Sequence, residues 1–181
     1  MSRRLPALFA AAGLLLSGCA TVSDSLDSIN PFTSAGPKMA PLKPIVATAE
    51  VRTAWSFSAG KAGDYTFAPA VVGNAVFVAA ADGTVNKLED GKSVWKIKAG
   101  QPLSAGVGAN SRLVVVGTSK GDVLAFSAED GKPLWQAKVS SEVLAAPTVS
   151  DNGVAVKSGD NRVFLFDSAD GGRKWVYQRS T

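Results

Sequence analysis

Four tryptophans, Trp55, Trp95, Trp135 and Trp175, are the only ones in the 181-residue sequence, and each stands 40 residues after the one before. A fixed period of this length is the signature of a repeat architecture, in which one supersecondary unit is copied and each copy buries its apolar face against the next. Other positions keep the same beat. Val123-Leu124-Ala125-Phe126 aligns with Val163-Phe164-Leu165-Phe166, and Asp130-Gly131 with Asp170-Gly171, all 40 residues apart. An earlier copy, with Ala75-Val76-Phe77-Val78 and Asp90-Gly91, fits once its connection before Asp90 is made two residues shorter.

Within a copy the apolar runs are short, rich in Val, Phe and Leu, and broken by Gly, Asn, Asp and Ser. No apolar stripe of period 3.6 is long enough for a helix, so the runs read as strands joined by tight turns. In the second copy they predict strands over 105–109, 112–118, 122–127 and 133–139. Four strands in about 40 to 45 residues is the arithmetic of a β-propeller blade. The Asp-Gly pair before each last strand supplies the positive φ that a hairpin turn demands. The expected fold is all-β: about three four-stranded antiparallel blades over 64–99, 103–139 and 143–179. An outer strand over 49–58, carrying Trp55, has no blade of its own. A closed propeller has about four to eight blades, so three units and a lone strand read as the N-terminal part of a larger ring.

The chain opens differently. Arg3 and Arg4 precede an apolar run from Leu5 to Leu16, the charged and hydrophobic parts of a secretory signal, too short to span a bilayer as a mature helix. Leu16-Ser17-Gly18-Cys19 follows, and this resembles the lipobox of bacterial lipoproteins. The resemblance makes residues 1–18 a signal peptide and Cys19 the acylated first residue of the mature chain. Ala20 after it implies, by the sorting rule of Gram-negative lipoproteins, the outer membrane with the protein facing the periplasm. Cys19 is the sole cysteine, so no intrachain disulfide can form. Residues 19–48 hold Pro31, Pro37, Pro41 and Pro44 among Ser, Thr, Ala and Lys, a composition that favours an extended tether.

The run from Ala125 to Trp135 resembles the tryptophan-docking motif of quinoprotein-type (PQQ-like) propellers, A-x-D-x-x-T-G-x-x-x-W, and the run from Leu165 to Trp175 repeats it. Asp130 and Asp170 stand where the motif has Thr, and the unit ending at Trp95 is two residues too short. The resemblance implies an eight-bladed ring in which Trp55, Trp95, Trp135 and Trp175, with Gly91, Gly131 and Gly171, are structural staples between neighbouring blades. Together with the lipobox and tether, the chain is similar to the lipoprotein propellers of the outer-membrane β-barrel assembly machinery. That family implies a scaffold role without catalysis or cofactor, supporting insertion of β-barrel proteins through contacts with the central component, BamA, and with unfolded clients.

Two other readings compete. A quinoprotein dehydrogenase shares the blades, but would set an adjacent cysteine pair over its cofactor and carboxylates on Ca²⁺. Here the lone Cys19 lies at the anchor. The carboxylates of Asp82, Asp90, Asp122, Asp130, Asp160, Asp167 and Asp170 fall at repeated turn positions, where turn chemistry accounts for them. The sequence has no histidine, which removes the common general base and the histidine-dependent triads. A nucleic-acid binder is the second alternative. The formal charge of +4 falls to +2 once Arg3 and Arg4 leave with the signal, since 17 basic residues then face 15 acidic ones. That is too little for an electrostatic footprint.

Overall fold

A computed structural model describes residues 40–178. The chain separates into two units, residues 1–50 and 51–181. Of the first, residues 40–50 are exposed and carry neither helix nor strand. The second holds twelve strands in three four-stranded antiparallel sheets. Blade 1 contains β1 (Ala70–Val72), β2 (Ala75–Ala79), β3 (Thr84–Glu89) and β4 (Lys92–Lys98). Blade 2 contains β5 (Gly108–Ala109), β6 (Leu113–Gly117), β7 (Asp122–Ser127) and β8 (Pro133–Lys138). Blade 3 contains β9 (Thr148–Val149), β10 (Val154–Lys157), β11 (Arg162–Phe166) and β12 (Arg173–Gln178).

Each sheet is a meander, its strands paired in chain order. The alternation of side chains along a strand decides which blade each residue meets. Phe77 and Val85 of blade 1 pack with Val114, Val116, Leu124 and Phe126 of blade 2. The opposite face of blade 2, with Leu113, Val115, Val123 and Ala125, packs on Val154, Val156, Phe164 and Phe166 of blade 3. Blade 2 is therefore buried on both faces, which is why β6 is a continuous apolar run with every residue buried.

The inner strand of blade 2 is shorter than its sequence predicts, covering Gly108–Ala109 rather than 105–109. Upstream of it the backbone turns to neighbours: Val107 N donates to the Ala68 carbonyl at 3.1 Å and Ser104 N to the Gly117 carbonyl at 3.0 Å. The strand expected over 49–58 is absent, and residues 51–69 form no strand. A strand exists only as a rung of a ladder, and no described strand pairs with this segment.

The turns explain the length difference between copies. In blade 1 the β3–β4 connection is Asp90-Gly91 alone, with φ of 50° and 74°, the two positive values of a type I′ hairpin. Blades 2 and 3 use longer loops closed by Gly131 N to the Ser127 carbonyl and Gly171 N to the Asp167 carbonyl, at 2.9 and 3.0 Å.

Candidate functional site

The recurring feature of the blades is an indole laid on the glycine of the next turn. A Cβ added to Gly171 would stand 2.6 Å from the Trp135 ring, and one on Gly131 would stand 3.2 Å from Trp95 and 2.8 Å from Ile97. Both glycines have φ near +73°, so the turn geometry and the close approach select the same residue. The indole nitrogens are satisfied across the same junctions. Trp95 Nε1 donates to the Ala128 carbonyl at 3.3 Å, and Trp135 Nε1 to the Ser168 carbonyl at 3.0 Å. Ala128 and Ser168 each lie three residues before the docking glycine, inside the longer β7–β8 and β11–β12 loops.

A β-bulge aims each of these rings. Register slips between Lys87 and Leu88, Ala125 and Phe126, and Leu165 and Phe166, so that Val94, Leu134 and Lys174 are skipped in the outer strands. Each skipped residue immediately precedes a tryptophan. A bulge bends its strand and re-aims the following side chain; here Val94 and Leu134 are turned out to solvent, and the indoles inward. Sequence reasoning missed the bulge, because the skipped residue is apolar at Val94 and Leu134 but charged at Lys174 and shares no signature.

The two end tryptophans differ. Trp55 lies on Gly91, where a Cβ would stand 2.7 Å from its ring, yet it is 44% exposed. The two-residue Asp90-Gly91 turn has no counterpart of the Ala128 and Ser168 carbonyls, and no hydrogen bond from Trp55 is found among the described residues. Trp175 is 47% exposed and shares the outer face of blade 3 with Val163, Leu165 and Tyr177. No described residue caps it with a turn. Cys19 lies outside the described residues.

The turn carboxylates are engaged locally. Asp82 accepts from Lys98 Nζ at 2.6 Å and from Thr84 N at 3.0 Å, which hold its carboxyl well below the usual range. At Asp122 burial pulls the pKa upward, but bonds from Lys138 and Thr118 win and leave it lowered. Lys132 and Ser127 hold Asp130 down to about 2. Lys174 lowers the Asp167 pKa, and Ser140 with Ser158 lowers that of Asp160. Among the described residues no group of three or more His, Cys, Asp or Glu is placed to hold a metal ion. No helix among them is long and apolar enough to cross a membrane.

The family model described as "Outer membrane protein assembly factor BamB" matches residues 81–181, more than half of the chain. The chain belongs to the BamB family. Among curated BamB proteins, that of Burkholderia pseudomallei is 39% identical over 120 residues, covering 65% of this chain and 29% of the relative. The Bordetella pertussis protein is 37% identical over 117 residues, covering 62% and 28%. The chain thus spans about three-tenths of the length of the BamB proteins it matches. Among solved structures, BamB from Moraxella catarrhalis superposes with a TM-score of 0.60 at 24% identity, covering 65% of this chain and 36% of that one. A europium-containing methanol dehydrogenase superposes with a TM-score of 0.59, also at 24% identity, covering 72% and 27%. The expected fold class, three antiparallel four-stranded blades of a propeller, stands on these likenesses and on the sheets themselves.

Proposed function

We propose that this chain forms part of a non-catalytic scaffold that helps insert β-barrel proteins into the outer membrane. The observation that carries the reading is the BamB family match over 81–181, spanning blades in which every inter-blade junction is closed by a structural side chain. The described surface offers outer strands and loops, the elements through which a propeller docks protein partners. BamA is the partner that the family resemblance names, with unfolded barrel clients as a second class.

The domain reading completes the proposal: a signal over 1–18, an acylated Cys19 with a tether to residue 48, and a propeller segment from residue 49. Multiple acyl chains on Cys19 would hold the protein at the outer membrane, facing the periplasm, more firmly than a single chain does. The dehydrogenase reading shares the fold, as the methanol dehydrogenase likeness illustrates. The BamB family match and the locally paired turn carboxylates favour the scaffold.

The test is affinity isolation of the tagged protein from detergent-solubilised outer membranes of its own cell. Co-isolation of BamA supports the proposal. Its absence under conditions that retain the rest of the machinery overturns it.

A further inference from the structure

The junction between blades 1 and 2 opens into a cleft of about 590 Å³ beside Asn74, Ala75 and Ala128. The repeat shows why. Strand register makes Ala75 the counterpart of Leu113, and Asn74 the counterpart of Arg112. By the 40-residue offset, Ser111 corresponds to Asp151 and Ala128 to Ser168. Between blades 2 and 3, Arg112 Nη2 donates to the Asp151 carbonyl at 2.7 Å and Ser168 Oγ donates to the same carbonyl at 2.6 Å. Between blades 1 and 2 the arginine is an asparagine, the leucine an alanine and the serine an alanine. The bridge is gone, and the space it spanned is open.

The cleft is also charged differently from its counterpart. Lys87 and Glu89 line it where blade 2 has Ala125 and Ser127. Lys87 Nζ sits 3.2 Å from Glu89 Oε1, with the lysine side chain only 16% exposed. Glu129 lines the opposite wall, and among the described residues its carboxylate has no ion-pair partner. Two carboxylates and one ammonium line the cleft, with Lys132 near enough to Glu129 to interact with it electrostatically. Asn74, Asn110 and Ser111 also line it, the Asn110 side chain being held by Ser150, Asp151 and the backbone of Arg112 and Leu113.

We propose that this cleft receives an arginine side chain from an extended segment of a partner protein. The neighbouring junction offers the precedent, since there the chain's own Arg112 bridges two blades by way of the Asp151 carbonyl, with the Asp151 carboxylate 3.8 Å away. A guanidinium is planar, weakly hydrated and matched to carboxylate and carbonyl acceptors at once, which a lysine ammonium is not. The cleft is roomier than one side chain, so the backbone of the flanking residues enters with the arginine. The assignment adds a contact to the scaffold role but rests on the cleft alone, so a failed peptide titration and a failed isolation of BamA are separate results.

The test titrates the full chain with the blocked tripeptide Ala-Arg-Ala, following backbone amide shifts by NMR. The same tripeptide with neutral citrulline, and free arginine, serve as comparators. The arginine tripeptide should shift the amides of Asn74, Asn110, Ser111 and Glu129 saturably, and each comparator should bind about fivefold more weakly or worse. Glu129→Gln, an exposed change that leaves the fold alone, should weaken the tripeptide by about threefold or more. Asn74→Arg should abolish its binding by rebuilding the bridge internally. No saturable shift at these amides, equal binding of either comparator, or indifference to both substitutions would overturn the proposal.

Discussion

Trp135 of blade 2 covers Gly171 of blade 3 and donates its indole N–H to the Ser168 carbonyl at 3.0 Å, so one side chain closes both an apolar and a polar contact between adjacent sheets. Trp95 repeats the arrangement on Gly131 and Ala128. Trp55 has only the apolar half. Trp135→Ala and Trp95→Ala should each cost about 2–4 kcal/mol. Trp55→Ala should cost clearly less, because the residue is 44% exposed and its indole lacks the bond. Urea unfolding of the three variants ranks them, and a Trp55 loss equal to the others would contradict the ordering.

Gly131→Ala and Gly171→Ala put a Cβ into a neighbouring ring or methyl at residues already in the left-handed region. The expected loss is about 1–3 kcal/mol each. Gly73→Ala, with a positive φ but nothing near its Cβ, should cost less. The comparison isolates the packing part of the glycine requirement.

Trp175 and Tyr177 stand on the uncovered face of blade 3, where every residue of β12 is exposed. Trp175→Ala should change stability by less than about 1 kcal/mol, and β12 amides should exchange faster than those of β6 and β7. Strong protection of β12 in the isolated chain would mean that this face is covered.

Much of this arrangement is legible from residues alone. The 40-residue spacing, the β-rich runs and the Asp-Gly pairs are enough to place four strands per unit and glycines at the turns. The bulges before Trp95, Trp135 and Trp175 are not, because a bulge is a relation between two strands and one strand's pattern does not display it. The short β5 and the lack of a strand around Trp55 have the same cause: both depend on where backbone partners lie in space. The cleft beside Ala75 and Asn74 emerges only once register sets those residues against Leu113 and Arg112.

Stability should be flat from about pH 5 to pH 8, because the chain has no histidine to titrate there. Asp82, Asp122, Asp130, Asp160 and Asp167 all have folded pKa values lowered by their partners. Their contribution is present above the unfolded carboxylate pKa of about 4 and is lost as pH falls toward the folded values, near 2 for Asp130. Thermal melts across pH 2 to 8 should show a plateau and then a decline below about pH 4. A maximum near pH 6 would contradict this assignment. High salt should shrink the acid-side decline, since most of these pairs are exposed.

If acylation of Cys19 anchors the protein, Cys19→Ala should move it from the membrane to the soluble fraction of lysed cells. Retention in the membrane would remove the anchor from the account.

The central claim is that the indole-on-glycine junctions make separate four-stranded sheets behave as one unit. Hydrogen exchange of the Trp135→Ala variant, read by mass spectrometry blade by blade, tests it most directly. The account predicts that peptides from β9–β12 lose protection while those from β2, β3 and β4 keep theirs. Unchanged protection in blade 3 would show that its coupling to blade 2 does not run through Trp135, and would contradict the account.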